Sequence, residues 1–345
     1  MKDLGERKSR GAKQVPHSRA DARTTPQASK PLRVETLSID DSHAEQRIDN
    51  FLMRHLKGVP RSHVYRLLRG GEVRVNSGRV DPTYRLREGD IVRIPPVRTA
   101  AKSPVRSTAH PSPNFKIVFE DDALLVIDKP SGTAVHGGSG VSFGVIEQLR
   151  NSRPEARYLE LVHRLDRETS GLLMVAKKRS ALTRIHASMR AGEIHKSYLA
   201  LVKGTWREAR REIRASLRKY LTAEGERRVS VDMKDGIGAR TIVELAENHG
   251  AYTLLKATLD TGRTHQIRVH LSHLGFPIVG DDKYGDFDLN RRLAKTDLKR
   301  MFLHAAELEL THPLTGERLA LHAPLPPDLA AFLSKVSSEV NDSTL

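Results

Sequence analysis

The eleven residues His163-Arg164-Leu165-Asp166-Arg167-Glu168-Thr169-Ser170-Gly171-Leu172-Leu173 decide how this chain of 345 is read. One carboxylate, Asp166, sits among basic neighbours, and small or hydroxyl-bearing residues follow it. The run Leu172-Leu173-Met174-Val175-Ala176 is then apolar throughout, which predicts a buried strand. An Asp at the mouth of a strand, between Arg164 and Arg167, suits a nucleophile kept ionised by positive charge. An Arg-x-Asp triplet alone describes an ordinary surface ion pair equally well, so the decision rests on what else the chain carries. A glycosidase would need a second acid facing the same bond, and only Glu168 lies close enough in sequence to be considered.

Two further stretches downstream combine polar and apolar residues in a similar way. Lys196-Ser197-Tyr198-Leu199-Ala200 reads as a strand with Tyr198 and Ala200 on one face, where core packing is the usual role of a Tyr. Thr261-Gly262-Arg263-Thr264-His265-Gln266-Ile267-Arg268-Val269-His270-Leu271 leads into a helix expected over 264–274, with Arg263 and Arg268 as ordinary surface charges by default. His265, His270 and His273 follow no standard zinc spacing, and no carboxylate completes a ligand set, so no metal is expected. Gly137-Gly138-Ser139-Gly140 lacks the Gly-Lys-Ser/Thr ending of a phosphate loop and reads as a flexible connection.

Around this centre the chain divides by composition. Residues 1–40 are polar and Pro-interrupted, with nine Lys/Arg against three Asp/Glu up to Arg33, and read as a disordered basic arm. Residues 46–98 form a compact unit. Ile48, Phe51, Leu52 and Leu56 have helical spacing; Ser62 offers an N-cap for a second helix that stops at Gly70-Gly71; Val73 to Val75 and Ile91 to Ile94 read as short strands. This unit holds twelve Lys/Arg against five Asp/Glu. Residues 99–113 are Ala/Ser/Pro/Thr-rich and read as a linker. Residues 114–330 are strand-rich with few helices, which predicts an α+β domain with a mixed, largely antiparallel sheet and flanking helices. Residues 331–345 read as a frayed tail.

The formal charge of +16 points to a polyanionic partner, nucleic acid rather than membrane, because no basic amphipathic helix with an aromatic face is evident. Without cysteine there are no disulfides or thiolate metal sites, in keeping with a cytoplasmic location. No apolar run reaches the length of a membrane span.

Across residues 46–330 the three motifs together resemble the RluA-type pseudouridine synthases. Gln46 to Leu52, Gly71 to Asn76, Ile94 to Arg98 and Lys129 to Gly138 place the chain nearest the branch acting on large-subunit ribosomal RNA. Gly-Val-Pro-Arg-Ser and Gly-Glu-Val-Arg-Val-Asn in the small unit resemble the α/β RNA-binding domain of the S-four type, first recognised in a small-ribosomal-subunit protein. The resemblance implies isomerisation of specific uridines in 23S ribosomal RNA, free or within a large-subunit assembly intermediate, by an enzyme expected to be monomeric. Asp166 would be the catalytic nucleophile, and Tyr198 would lie against the target uracil. Arg268 would reach the carboxylate, with Arg263 as the alternative. Arg164 would contact the RNA and help displace the nucleotide from its stack. Arg47, Arg61, Arg66, Arg69 and Arg74 would grip RNA, mostly at phosphates. Such chemistry needs no cofactor and no metal. Two other readings compete: a catalytically silent RNA-binding ribosome assembly factor, and a hydrolase built on the histidines.

Overall fold

The computed structural model describes residues 33–40, 43–56, 58–97, 115–137, 143–296 and 298–342. The linker expected at 99–113, most of the basic arm and residues 138–140 of the Gly-rich loop lie outside them.

The small N-terminal unit is built from β1 (Glu35–Ser38), α1 (Ile48–His55), α2 (Arg61–Arg69), β2 (Arg74–Val75) and β3 (Ile91–Ile94). β3 is central, with β1 and β2 antiparallel on its two sides. Ile48, Leu52, Val64, Leu68, Val92 and Ile94 form its own core, each contributing about 1.5–3 kcal/mol on burial. Two expectations are corrected here. The arm does not run to residue 40, because Glu35–Ser38 pairs residue by residue with β3 and so satisfies that strand's outer edge. The second helix begins at Arg61 behind Pro60, whose fixed φ of −58° suits a helix entry, and Ser62 is its second residue rather than its cap.

The large unit contains β4 (Lys116–Glu120), β5 (Leu124–Lys129), α3 (Val145–Ser152), β6 (Glu160–Leu161), β7 (Ser170–Ala176), α4 (Arg179–Ala191), β8 (His195–Lys203), β9 (Arg210–Arg214), β10 (Leu217–Leu221), β11 (Arg227–Val231), β12 (Arg240–His249), β13 (Tyr252–Leu259), α5 (Gln266–His273), α6 (Phe287–Thr296), β14 (Leu303–Thr311), β15 (Arg318–His322) and α7 (Pro327–Asp342). The main sheet runs β4-β5-β7-β14-β8-β13-β12-β9, with β15 added beside β14 and β6 beside β7. Every pairing is antiparallel except β7 with β14, so the sheet is mixed and largely antiparallel, as expected.

Both faces of this sheet are covered, which explains the unbroken apolar run in β7. Leu173 and Val175 join Tyr198, Ala200, Leu255 and Ala257 on one face, under α3 and α5. Leu172, Met174 and Ala176 point the other way, onto Ala181 and Ile185 of α4. Beside them Leu201, Leu254 and Phe302 pack on Leu329, Phe332 and Val336 of α7. The expected tail from residue 331 is therefore corrected through Asp342: its apolar residues recur every three or four positions and are drawn into the core. The face beneath α5 carries the site.

Candidate active site

The chain pairs β6 with the far end of β7, Glu160 against Ala176 and Leu161 against Val175, then returns through residues 162–169 to the start of β7. There β14 takes over as neighbour, with Ala305 opposite Gly171. A side chain on Gly171 (φ +105°) would place its Cβ 2.2 Å from the Ala305 carbonyl oxygen, so only glycine permits this crossing. The returning loop carries Asp166 and is fastened from below. Leu165 is buried in the core. The buried Lys129 ammonium donates to the carbonyls of Pro130, Thr133 and Arg167 at 2.8, 2.9 and 3.1 Å, and Ser131 Oγ donates to the Glu168 carbonyl at 2.7 Å. Burial pulls the Lys129 pKa down to about 7, against the opposing charge of Glu168. His163 Nε2 accepts the Met174 N–H at 3.2 Å, and burial holds its pKa down near 3, so the imidazole is neutral.

Asp166 Oδ2 receives Arg268 Nη1 at 3.2 Å. Arg268 is 3 % exposed and is itself clamped. Its Nε and Nη2 meet the two carboxylate oxygens of Asp281 at 2.7 and 2.6 Å, and Nη2 also reaches Asp282 at 3.1 Å. Burial works to lower the Arg268 pKa, but the hydrogen bonds and charge of Asp281, and then of Asp166, raise it above its ordinary value. Asp281 is fully buried and accepts the N–H groups of Lys283 and Tyr284 at 2.8 and 3.0 Å. This fork-to-carboxylate geometry fixes the guanidinium plane, leaving one nitrogen for Asp166.

The second oxygen, Asp166 Oδ1, faces His265 Nε2 at 3.8 Å. His265 is the N-cap of α5, with φ at +55°, in the left-handed region that non-glycine residues seldom occupy. The Val229 N–H donates to Tyr284 Oη at 2.9 Å, and the same oxygen is hydrogen-bonded to His265 Nδ1 at 2.8 Å, which ties the imidazole to the loop behind it. Burial lowers the His265 pKa despite the nearby Asp166 charge, and burial pushes the Tyr284 pKa up to about 12. Gln266 locks the turn before the helix. Its amide donates to Arg240 O and Thr241 Oγ1, and its carbonyl accepts from Thr261 Oγ1 and the Arg263 N–H.

Asp166 opens into a cavity of about 400 Å³, within the range of small-ligand sites. Tyr198, Leu259, Ile267 and Leu303 supply apolar wall, while Arg164, Arg190, Lys196 and Arg263 bring positive charge. Burial, and then the charge of Asp166, raise the Tyr198 pKa, so its hydroxyl stays protonated. The fold thus brings Asp166, Tyr198 and Arg268 together, with Arg164 exposed at the cavity mouth. Arg263 lines the same cavity but turns toward the Gly238 carbonyl at 3.5 Å and not toward Asp166. Glu168 faces a different cavity, beside Lys129 and Arg300. His270 is committed to Thr241 Oγ1 and the Ala215 carbonyl at 2.9 and 3.1 Å. Asp281, Tyr284 and the locking role of Gln266 escaped the sequence reading.

On the small unit Arg61, Arg66 and Arg69 are exposed, and the guanidinium carbons of Arg61 and Arg69 lie 5.5 and 5.9 Å from the Tyr65 ring centre. Arg47 instead makes two bonds to Asp49, at 3.2 and 2.7 Å, and Arg74 donates to the Ser77 carbonyl at 3.1 Å.

Residues 123–273 match the family model described as RNA pseudouridylate synthase, and residues 46–92 match the S4 domain. A protein of Yersinia pestis named ribosomal large subunit pseudouridine synthase C is 53% identical over 296 residues, covering 85% of this chain and 92% of that protein. The protein of the same name from Escherichia coli strain K12 is 51% identical over 309 residues, covering 88% of this chain and 97% of its own length. Among solved structures, human RNA pseudouridylate synthase domain containing 1 superposes with a TM-score of 0.52 at 29% identity, covering 63% of this chain and 87% of that one.

Proposed function

This chain belongs to the RNA pseudouridylate synthase family, and on that premise we propose that it isomerises uridines of large-subunit (23S) ribosomal RNA, with Asp166 as the nucleophile. One observation carries the reading: Asp166 is held by a clamped arginine in a cavity walled by an aromatic ring. The reaction breaks the bond between uracil N1 and ribose C1′ and joins C1′ to C5. C5 then loses a proton and N1 gains one, so atoms and electrons balance without an oxidant, a metal or an energy source.

Each residue has a part that its surroundings support. Arg268 holds Asp166 aimed into the cavity through a charge-assisted hydrogen bond. Tyr198 offers a ring face against which a detached uracil can be held and turned. The cavity admits one base and not a duplex, so the uridine enters out of its stack, and exposed Arg164 at the mouth suits the displaced backbone. In this reading residues 114–330 perform the chemistry, and residues 46–98 grip the RNA through Arg61, Arg66 and Arg69, with Arg47 and Arg74 engaged mainly with their own domain.

The test is Asp166→Asn, which keeps the shape of the side chain and removes its charge. RNA binding survives and pseudouridine formation vanishes, read by chemical mapping of ribosomal RNA from a deletion strain carrying either gene. Product accumulating near the wild-type rate would end the nucleophile assignment.

A further inference from the structure

Beside the catalytic cavity lies a second cleft of about 680 Å³ that the reaction itself leaves unused. One wall is the β10–β11 hairpin, contributing Lys219, Tyr220, Leu221 and Arg227; the other is the turn into α5. The two cavities share Arg164, Thr264 and His265 and so lie side by side.

The cations around this cleft fall into two kinds. Arg228 pairs with Glu226 at 2.8 Å and donates to the Lys283 carbonyl at 3.1 Å, and Lys283 pairs with Glu226 in turn. These bonds, the Val229–Tyr284 hydrogen bond and the packing of Leu217 and Val229 on Ala239 and Val269 hold the hairpin in place. Arg164, Lys219 and Arg227 are exposed, and among the described residues no carboxylate lies within ion-pairing distance of any of them. Tyr220, 44 % exposed, lines the same cleft, with Leu221 beside it in the chain at 65 %. An exposed aromatic ring and unpaired cations lining one cleft are the composition of a site that stacks a base and holds its phosphates.

We propose that this cleft is a second nucleotide subsite, which takes the unstacked RNA residue next to the uridine in the catalytic cavity. Its base stacks on Tyr220, and the adjoining phosphates lie against Arg164, Lys219 and Arg227. The subsite rests on the RNA-modifying function proposed above. It adds a reason why the target leaves its stack: the neighbour finds a new stacking partner on the protein and offsets part of the unstacking cost.

The test uses the full-length protein and a ribosomal RNA fragment containing a mapped target uridine. Versions of the fragment carry an abasic residue on the 5′ or the 3′ side of the target. Wild type should bind one of the two abasic RNAs about tenfold more weakly than the intact fragment, the order expected for one lost base stack. Tyr220→Ala should bind the intact RNA about tenfold more weakly and lose nothing further on that same abasic RNA. Tyr220→Phe should behave as wild type. Replacing Lys219 and Arg227 by Ala should flatten the salt dependence of binding while keeping the abasic effect. Losses that multiply in Tyr220→Ala, or wild-type affinity in that variant, would sink the subsite while product formation by wild type leaves the enzymatic function standing. Absence of pseudouridine in any ribosomal RNA treated with wild type would overturn both.

Discussion

Arg268 and Arg164 line the same cavity and carry the same charge, yet they are built for opposite ends of the task. Arg268 is buried, with its guanidinium divided among Asp166, Asp281 and Asp282. Arg164 is exposed at the mouth, and Arg61, Arg66 and Arg69 on the small unit share its openness. A buried ion cluster costs desolvation that its partners must offset, and what it supplies here is a fixed direction for one carboxylate. Exposed cations are already solvated and lose little by exchanging water for phosphate, so they suit capture of a polyanion. On the proposed reading, charge inside this site orients and charge around it collects.

The sharpest way to break that distinction is Arg268→Lys. An ammonium keeps the charge but cannot hold Asp281 and Asp166 in one plane. We expect kcat to fall on the order of 10²–10³-fold, with RNA affinity nearly unchanged. Asp281→Asn leaves Arg268 in place and weakens its clamp, for a smaller loss of about 10–100-fold in kcat. Single-turnover kinetics at saturating RNA separate the two effects. If either variant loses affinity while keeping its turnover, Arg268 is an RNA contact and the interior no longer differs in kind from the mouth.

The same contrast explains what the sequence made legible. Asp166, Tyr198 and Arg268 stand inside continuous motifs, and the apolar run in β7 announces a strand whatever surrounds it. Asp281 could not be found this way. Asp281-Asp282-Lys283 has the composition of a surface turn, yet Asp281 is buried, next to a backbone crossing that only glycine permits: a Cβ on Gly280 would sit 2.1 Å from the Arg300 carbonyl oxygen. The β10–β11 hairpin is hard to read from sequence because the charged Arg218-Lys219 and Arg227-Arg228 outweigh the short alternation of Val229-Ser230-Val231; its strands exist by pairing with each other and packing on Val269. β1 likewise has little apolar content of its own and is a strand because β3 has an edge to fill. In α7 the helical spacing of Leu329, Phe332 and Val336 was present, but Ser337, Ser338 and Asn341 gave that stretch the look of a polar tail.

A smaller effect sharpens the other half of the comparison. Replacing Arg61, Arg66 and Arg69 together by Ala leaves the catalytic cavity intact. If the three contact phosphates, the slope of log affinity against log salt should fall by about 0.7–0.9 for each lost contact. Turnover at saturating RNA should not change. An unaltered slope would show that this exposed arginine face does not touch the RNA, and openness alone would no longer mark a capture surface.

The smallest effect concerns His163, the residue before Arg164 in the chain and a member of the interior set. Its folded pKa near 3 lies below the ordinary 6.5 because burial penalises the charged ring. Between those values the unfolded chain binds a proton that the folded chain refuses, so this group withdraws stability as pH falls below 6.5 and contributes no such loss above it. By pH 5 the loss is at most about 2 kcal/mol, or a few degrees in Tm for a protein of this size. In His163→Gln the side-chain carbonyl can still accept the Met174 N–H, and no proton is taken up. Thermal unfolding of both proteins from pH 7.5 to 5 should show Tm falling more steeply for wild type, with the two curves parallel above pH 7. Parallel curves throughout would mean that His163 charges freely in the folded protein and belongs with the solvated residues of the mouth.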